Sequence, residues 1–273
     1  MSSAIDVRRI SLAPGARARR AFGDTMVLAR RYLLHYVRQP DLLFFSTIQP
    51  IMFVLLFNYV FGGAIGESLP QPDIDYTLFF IPGILVQTIA FASSTPSVSM
   101  AKDRQEGIAD RFRSLPMASG AVLSGRVLAD TVYLCYTALL LTGIGLVIGF
   151  RFQTSAPEII AGFGMAVLFG FSLLWVAILI GLLVRNVDAA NLAGFIWLFP
   201  LTFASSAFVP IETFPDGLQT FAAYNPVTFF VDSVRGLWLG GLETRDVYWA
   251  IGWAAVLTIV FAPIGVMRYR ASK

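Results

Sequence analysis

Charge is scarce in this 273-residue chain: 14% of positions are Asp, Glu, Lys or Arg, while 56% are hydrophobic. A soluble domain is charged at about a quarter of its positions, so an ordinary water-soluble fold is excluded as the first reading and a membrane protein takes its place. Lysine is rarer still, occurring as Lys102 and Lys273 alone. Neither follows the glycine spacing of a phosphate-binding loop, so the chain carries no motif for binding ATP itself. Cys135 and His35 are each the single residue of their kind. One cysteine permits no intramolecular disulfide, and the pair offers little to a zinc site or to an acid–base enzyme. Cys135 lies in an apolar run and reads as packing, and His35 reads as an interfacial polar group. The first forty residues hold eight Arg and no apolar core, which predicts no cleavable secretion signal and a cytoplasmic N-terminus. Eighteen Arg and two Lys against 17 acids give a net charge of +3, too small an excess to indicate nucleic-acid binding.

Long uncharged runs fill the rest. They cover 42–66, 76–101, 131–150, 159–184, 189–211 and 247–267, each 20 residues or more, the length a helix needs to cross a bilayer. The expected fold class is an all-α membrane protein with six transmembrane helices at about 42–62, 77–99, 127–150, 159–184, 189–209 and 247–267. The third starts early enough to put Asp130 at its cytoplasmic end. A seventh run, 217–231, is too short to cross and is broken by Asn225-Pro226. It predicts an extracytoplasmic re-entrant hairpin between spans five and six. Basic residues orient the whole: with the N-terminus inside, 17 Lys and Arg fall on the inner side and 3 on the outer. Both termini are then cytoplasmic, in a bacterial inner membrane.

Ahead of the 41–273 membrane domain, residues 1–20 read as a disordered basic tail. Residues 21–40 read as an amphipathic interfacial helix whose apolar stripe is Phe22, Met26, Ala29, Leu33 and Val37, stopped by Pro40. Small residues at Gly145 and Gly149, and at Gly162, Ala166 and Gly170, predict close helix packing within the subunit. The loop Lys102–Pro116 alternates charge with apolar anchors. From Ala109 a helix would show Phe112 and Leu115 on one side, with Asp110, Arg111 and Arg113 free for a soluble partner, and Pro116 would end it. Such a helix suits docking into another protein's groove.

The stretch Glu106-Gly107-Ile108, Asp110-Arg111-Phe112-Arg113-Ser114-Leu115-Pro116-Met117, with Gly125-Arg126, Ala129-Asp130, Phe80-Ile81-Pro82-Gly83, and the series Pro210, Pro215, Pro226 and Arg235, resembles the type-2 ATP-binding-cassette exporter permeases, in particular their daunorubicin-resistance branch. The resemblance extends from about Tyr32 to the C-terminus. It implies an exporter permease, not itself an enzyme, that has no cofactor of its own and works with two ATPase subunits that bind ATP and Mg. It further implies a second permease, as a homodimer or a related heterodimer, in contact with membrane lipids. Its coupling element falls on Glu106, Gly107, Asp110, Arg111, Phe112, Arg113 and Leu115, as a cytoplasmic coupling helix between spans two and three. The cargo would be apolar or amphiphilic, such as a drug, lipid or polyketide, moving past Gln49, Asn58, Gln87, Thr202, Ser205 and Ser206 in phenylalanine-rich spans one, two and five. Pro210, Pro215, Pro226 and Arg235 would form an exit gate, Arg235 pairing Asp232 or meeting lipid headgroups. Two rivals are an ion-coupled secondary transporter and a membrane-embedded lipid-modifying enzyme. The first would need ionisable relays at membrane depth, where the spans offer only Asp130 near one end besides Tyr and Cys.

Overall fold

The computed structural model describes residues 14–38, 40–61, 76–107, 119–184 and 186–271. Every regular element among them is helical. In chain order they are α1 (Pro14–Arg38), α2 (Pro40–Leu55) with a π-helical turn at Leu56–Phe61, α3 (Tyr76–Ala92), α4 (Thr95–Gln105), α5 (Ser119–Val147), α6 (Ala156–Leu183), α7 (Val187–Phe195), α8 (Leu198–Phe203), a 3₁₀ turn at Ile211–Thr213, α9 (Asp216–Tyr224), α10 (Pro226–Leu239) and α11 (Thr244–Ala271). Four stretches among the described residues are long and apolar enough to cross a membrane: Tyr76–Gln105, Gly120–Val147, Ala156–Leu183 and Thr244–Ala271.

Helix α6 is the centre, packed by α3, α4, α5, α10 and α11. Small residues permit this. A Cβ on Gly162 would enter the Trp238 indole of α10, and one on Gly170 would meet Leu134 of α5 and Ile89 of α3. The stripe expected at these positions therefore seats helices within the subunit. The Trp238 seat is reinforced by its indole N–H, which donates to the Ile159 carbonyl at 3.1 Å, and by Phe150, Phe152 and Phe163 around the ring.

The helix that carries the expected third span runs from Ser119, and Arg126 and Asp130 satisfy each other inside it. The second is not one rod. It breaks at Ser93-Ser94 ahead of Pro96, whose missing N–H cannot close a helical bond. Three hydroxyls there accept the role of donor: Ser93 to Ala90 O, Ser94 to Phe91 O and Thr95 to Ala92 O, at 2.6–2.8 Å. These hydroxyls take up carbonyls that the interrupted ladder frees, in a medium that could not hydrate them. The fifth expected span is likewise divided into α7 and α8.

The amphipathic helix also differs from expectation. It starts at Pro14, so residues 14–20 of the expected tail are helical. Proline is favourable in a first turn, and the following Ala and Arg are strong helix formers. Its buried stripe is Leu28, Ala29, Tyr32 and Tyr36, packed on α5, whereas Phe22, Met26 and Val37 are exposed. Contact with α5 is close enough that a Cβ on Gly125 would stand 2.8 Å from Leu28 Cβ. The expected stripe is thus split: Phe22, Met26 and Val37 face outward while Ala29 is buried and Leu33 packs partly against the core, and the inward face adds tyrosines that a hydrophobic count passes over.

Candidate functional site

A cavity of about 240 Å³ opens between α2, α3, α4, α5 and α7. Gln49 of α2 and Gln87 of α3, two of the expected pathway residues, share its wall with Thr88, Tyr133, Thr137 and Asn191. Gln87 is 3% exposed, and its side-chain N–H₂ has no partner among the described residues. An amide left so is a donor awaiting an acceptor, since an unmet buried polar group costs about 1–3 kcal/mol. Apolar surface between these polar groups comes from Phe53, Ile84, Phe91 and Phe195.

From this cavity the aromatic rings continue in contact. Phe195 stands 6.5 Å from Phe199, which is 5.9 Å from Phe203, and Phe203 is 5.0 Å from Phe208. Phe208 stacks at 4.8 Å on Phe57, and Phe57 lies 6.1 Å from Phe53, back on the cavity wall. Phe80 and Tyr76 close the far end, where the Tyr76 hydroxyl donates to Phe208 O at 3.4 Å. Abundant phenylalanine was visible in the sequence. The partners of each ring were not, because they come from α2, the π-helical turn, α3, α7, α8 and the segment after it.

Thr202, Ser205 and Ser206 stand away from the cavity. Thr202 donates to Leu198 O and Ser205 to Thr202 O, and Ser206 donates to the Asp232 carboxylate at 2.8 Å. Asn58 lies in the π-helical turn, and its side chain is outside the described set.

The predicted gate residues fall along the segment from the 3₁₀ turn through α9 and α10. Each proline precedes or opens a turn: Pro210 the 3₁₀ turn, Pro215 α9 and Pro226 α10. Asn225 staples the hairpin, donating to Leu201 O at 2.6 Å and Ala204 O at 2.7 Å while accepting from Val227 N. Arg235 pairs with Asp232 at 2.6 Å, the first of the two partners anticipated for it. It also donates to Phe79 O and Ser206 O and lies 3.8 Å over the Phe79 ring. One side chain therefore ties α10 to α3 and to the end of the aromatic track.

At the other end, α4 stops at Glu106, and Gly107 takes the left-handed φ of 66° that glycine accepts most readily after a helix. Arg104 anchors this turn by donating to Leu182 O of α6 at 3.1 Å. Asp110, Arg111, Phe112, Arg113 and Leu115, with the expected coupling helix, lie outside the described residues. Close by, Asp130 accepts from Arg126 Nε at 2.9 Å and from the Tyr36 hydroxyl at 2.7 Å. Burial holds the Tyr36 phenol above its ordinary range, so it remains a donor. Among the described residues, no three His, Cys, Asp or Glu side chains group to hold a metal.

The sequence profile of the ABC-2 type transporters matches residues 24–239, well over half of the chain. The chain belongs to the ABC-2 type transporter family. It is a multi-pass permease subunit of an ABC exporter. The daunorubicin resistance ABC transporter permease of Streptomyces coeruleorubidus is 30% identical over 264 residues, covering 96% of this permease and 92% of that one. A doxorubicin resistance ABC transporter permease of Mycobacterium tuberculosis is 24% identical over 265 residues, covering 95% and 94%. The matched region of this permease contains the cavity, the aromatic track and the Arg235 clamp.

Proposed function

We propose that this permease carries an apolar or amphiphilic molecule, drug-like in the sense of its relatives' anthracycline-resistance names, out of a bacterial cell across the inner membrane. The single observation behind this reading is the continuity from the Gln49–Gln87 cavity through stacked rings to the Arg235 clamp. Amides at the entrance suit a cargo with hydrogen-bond acceptors, and ring faces suit a flat apolar body, since aromatic pairs gain about 0.5–1.5 kcal/mol beyond area burial. Six crossings with both termini cytoplasmic are part of the reading, with α2 and its π-helical turn as the first and α7–α8 as the fifth. The α9–α10 hairpin is the re-entrant external element.

Two ATPase subunits bind ATP and Mg and dock on the Glu106-Gly107 turn and the segment after it. A second permease, identical or related, completes the pathway. Arg104 gives the turn a rigid connection to α6, which suits transmission of force, because a conformational change needs differential binding energy at its source. The test is co-reconstitution of the permease with its ATPase in liposomes. ATP-dependent accumulation of an anthracycline, reduced at least about fivefold by Phe57→Ala with its lost ring contacts, supports the reading. Transport by ATPase-free permease under an ion gradient would replace it with a secondary transporter.

A further inference from the structure

A second cavity, of about 360 Å³, lies between α1, α4 and the start of α5, apart from the cargo path. Arg31, His35 and Arg38 reach it from α1 and Lys102 and Asp103 from α4, and Arg126 of α5 forms its floor. Arg126 is 6% exposed and lies 4.9 Å from the ring centre of Tyr32. Tyr32 also lines the cavity. It is 7% exposed, and its hydroxyl has no hydrogen-bond partner among the described residues. Burial keeps this phenol protonated well above its ordinary range, so its O–H remains available to donate.

The charges define what the hydroxyl awaits. Arg31, Arg38, Lys102 and Arg126 line the cavity beside Asp103 and Glu106, so basic side chains outnumber acidic ones on its described wall. A basic wall of this kind suits the phosphate of a phosphodiester. Helix α1 meanwhile turns Phe22, Met26, Val27 and Val37 outward, and Leu34 brings an apolar edge to the cavity itself. A helix with charged and apolar faces of this kind lies at headgroup depth, where basic pockets between membrane helices collect acidic lipids.

We propose that this cavity seats the headgroup of an anionic phospholipid. Tyr32 donates to a phosphate oxygen, Arg31 and Arg38 supply the charge, and the acyl chains leave over Leu34. A zwitterionic lipid offers the same phosphate but adds a cation that the basic lining repels. The inference needs α1 at the membrane surface and nothing about cargo, so it stands or falls separately from export.

Native mass spectrometry of the delipidated full-length permease, titrated with phosphatidylglycerol, phosphatidylcholine or inorganic phosphate, tests it. One phosphatidylglycerol per chain is expected, held about tenfold more tightly than phosphatidylcholine. Tyr32→Phe, which keeps the ring under Arg126, should weaken retention about fivefold to tenfold through one lost charge-assisted hydrogen bond. Arg31→Gln with Arg38→Gln should erase the preference between the two lipids, and carries the test if Tyr32→Phe melts early. Equal retention of both lipids by the wild type, or a preference untouched by the variants, overturns the proposal. Displacement by inorganic phosphate alone would reassign the cavity to a soluble anion, and displacement by the ATPase subunit would reassign it to a protein contact.

Discussion

At the scale of single residues, Gln87 and Asp130 represent opposite uses of a buried polar group. Gln87 keeps an unmet donor beside the cavity, so Gln87→Leu should leave folding intact or slightly improved. It should weaken cargo binding up to about tenfold, the worth of one hydrogen bond, as read by fluorescence quenching of a bound anthracycline. Asp130 is fully answered by Arg126 and Tyr36, and Asp130→Ala would strand a buried guanidinium. The expected loss is about 3–5 kcal/mol, measured by denaturation in mild detergent, and Arg126→Met added to it should recover part. The sequence placed Asp130 at a span end and Arg126 one helical turn before it. Tyr36 could not be read, because it arrives from 94 residues away along a helix face that no apolar pattern marks.

Among the elements, the glycines on α6 separate close packing from mere tolerance. Gly162→Ala should destabilise the permease by about 1–3 kcal/mol through overpacking against Trp238. Gly164→Ala, with nothing within 4 Å of the added methyl, should be neutral. Thermal melts followed by tryptophan emission distinguish them. The hairpin offers a parallel case: Asn225→Ala removes two carbonyl contacts and a helix cap at once and should cost about 2–3 kcal/mol. Helix existence was legible from uncharged runs, and the break between α9 and α10 from Asn225-Pro226. Helix limits were less so. Hydropathy does not register hydroxyls that stand in for missing backbone donors at Ser93–Thr95, nor a Pro14 start, so one span looked continuous and one tail looked unstructured.

For the molecule as a whole, the assignment rests on order and spacing more than on any one site. Phe80-Ile81-Pro82-Gly83 carried the family resemblance without an evident reason, and the fold supplies one: a Cβ on Gly83 would collide with the Ala207 backbone. Gln49 and Gln87 of the cavity wall were named from sequence, but the track was legible only as a composition rich in Phe, since ring contacts join elements far apart in the chain. Coupling is a property of the full assembly. Phe112→Ala should lower the ATPase recovered with the tagged permease at least about fivefold, as expected of a lost apolar anchor, while Arg235→Lys should leave that ratio unchanged and slow cargo release. Quantitative mass spectrometry of the purified complex reads the first effect and efflux from proteoliposomes the second.

Helix α11 has a consequence of a different kind. At 28 residues it measures about 42 Å along its axis, against a hydrocarbon layer of about 30 Å. Only 17% of its apolar window is buried in the protein. Its uncharged stretch, 247–267, is about 32 Å long, so it fits that layer while the charged turns at Arg245–Asp246 and Arg268–Arg270 protrude, and packing on α6 and α10 holds its angle. A thicker or thinner bilayer would strain this fit, and through the packing of α11 on α6 the lipid chain length becomes a mechanical input to the transporter: efflux rates should shift between liposomes of short and long acyl chains even when their headgroups are the same.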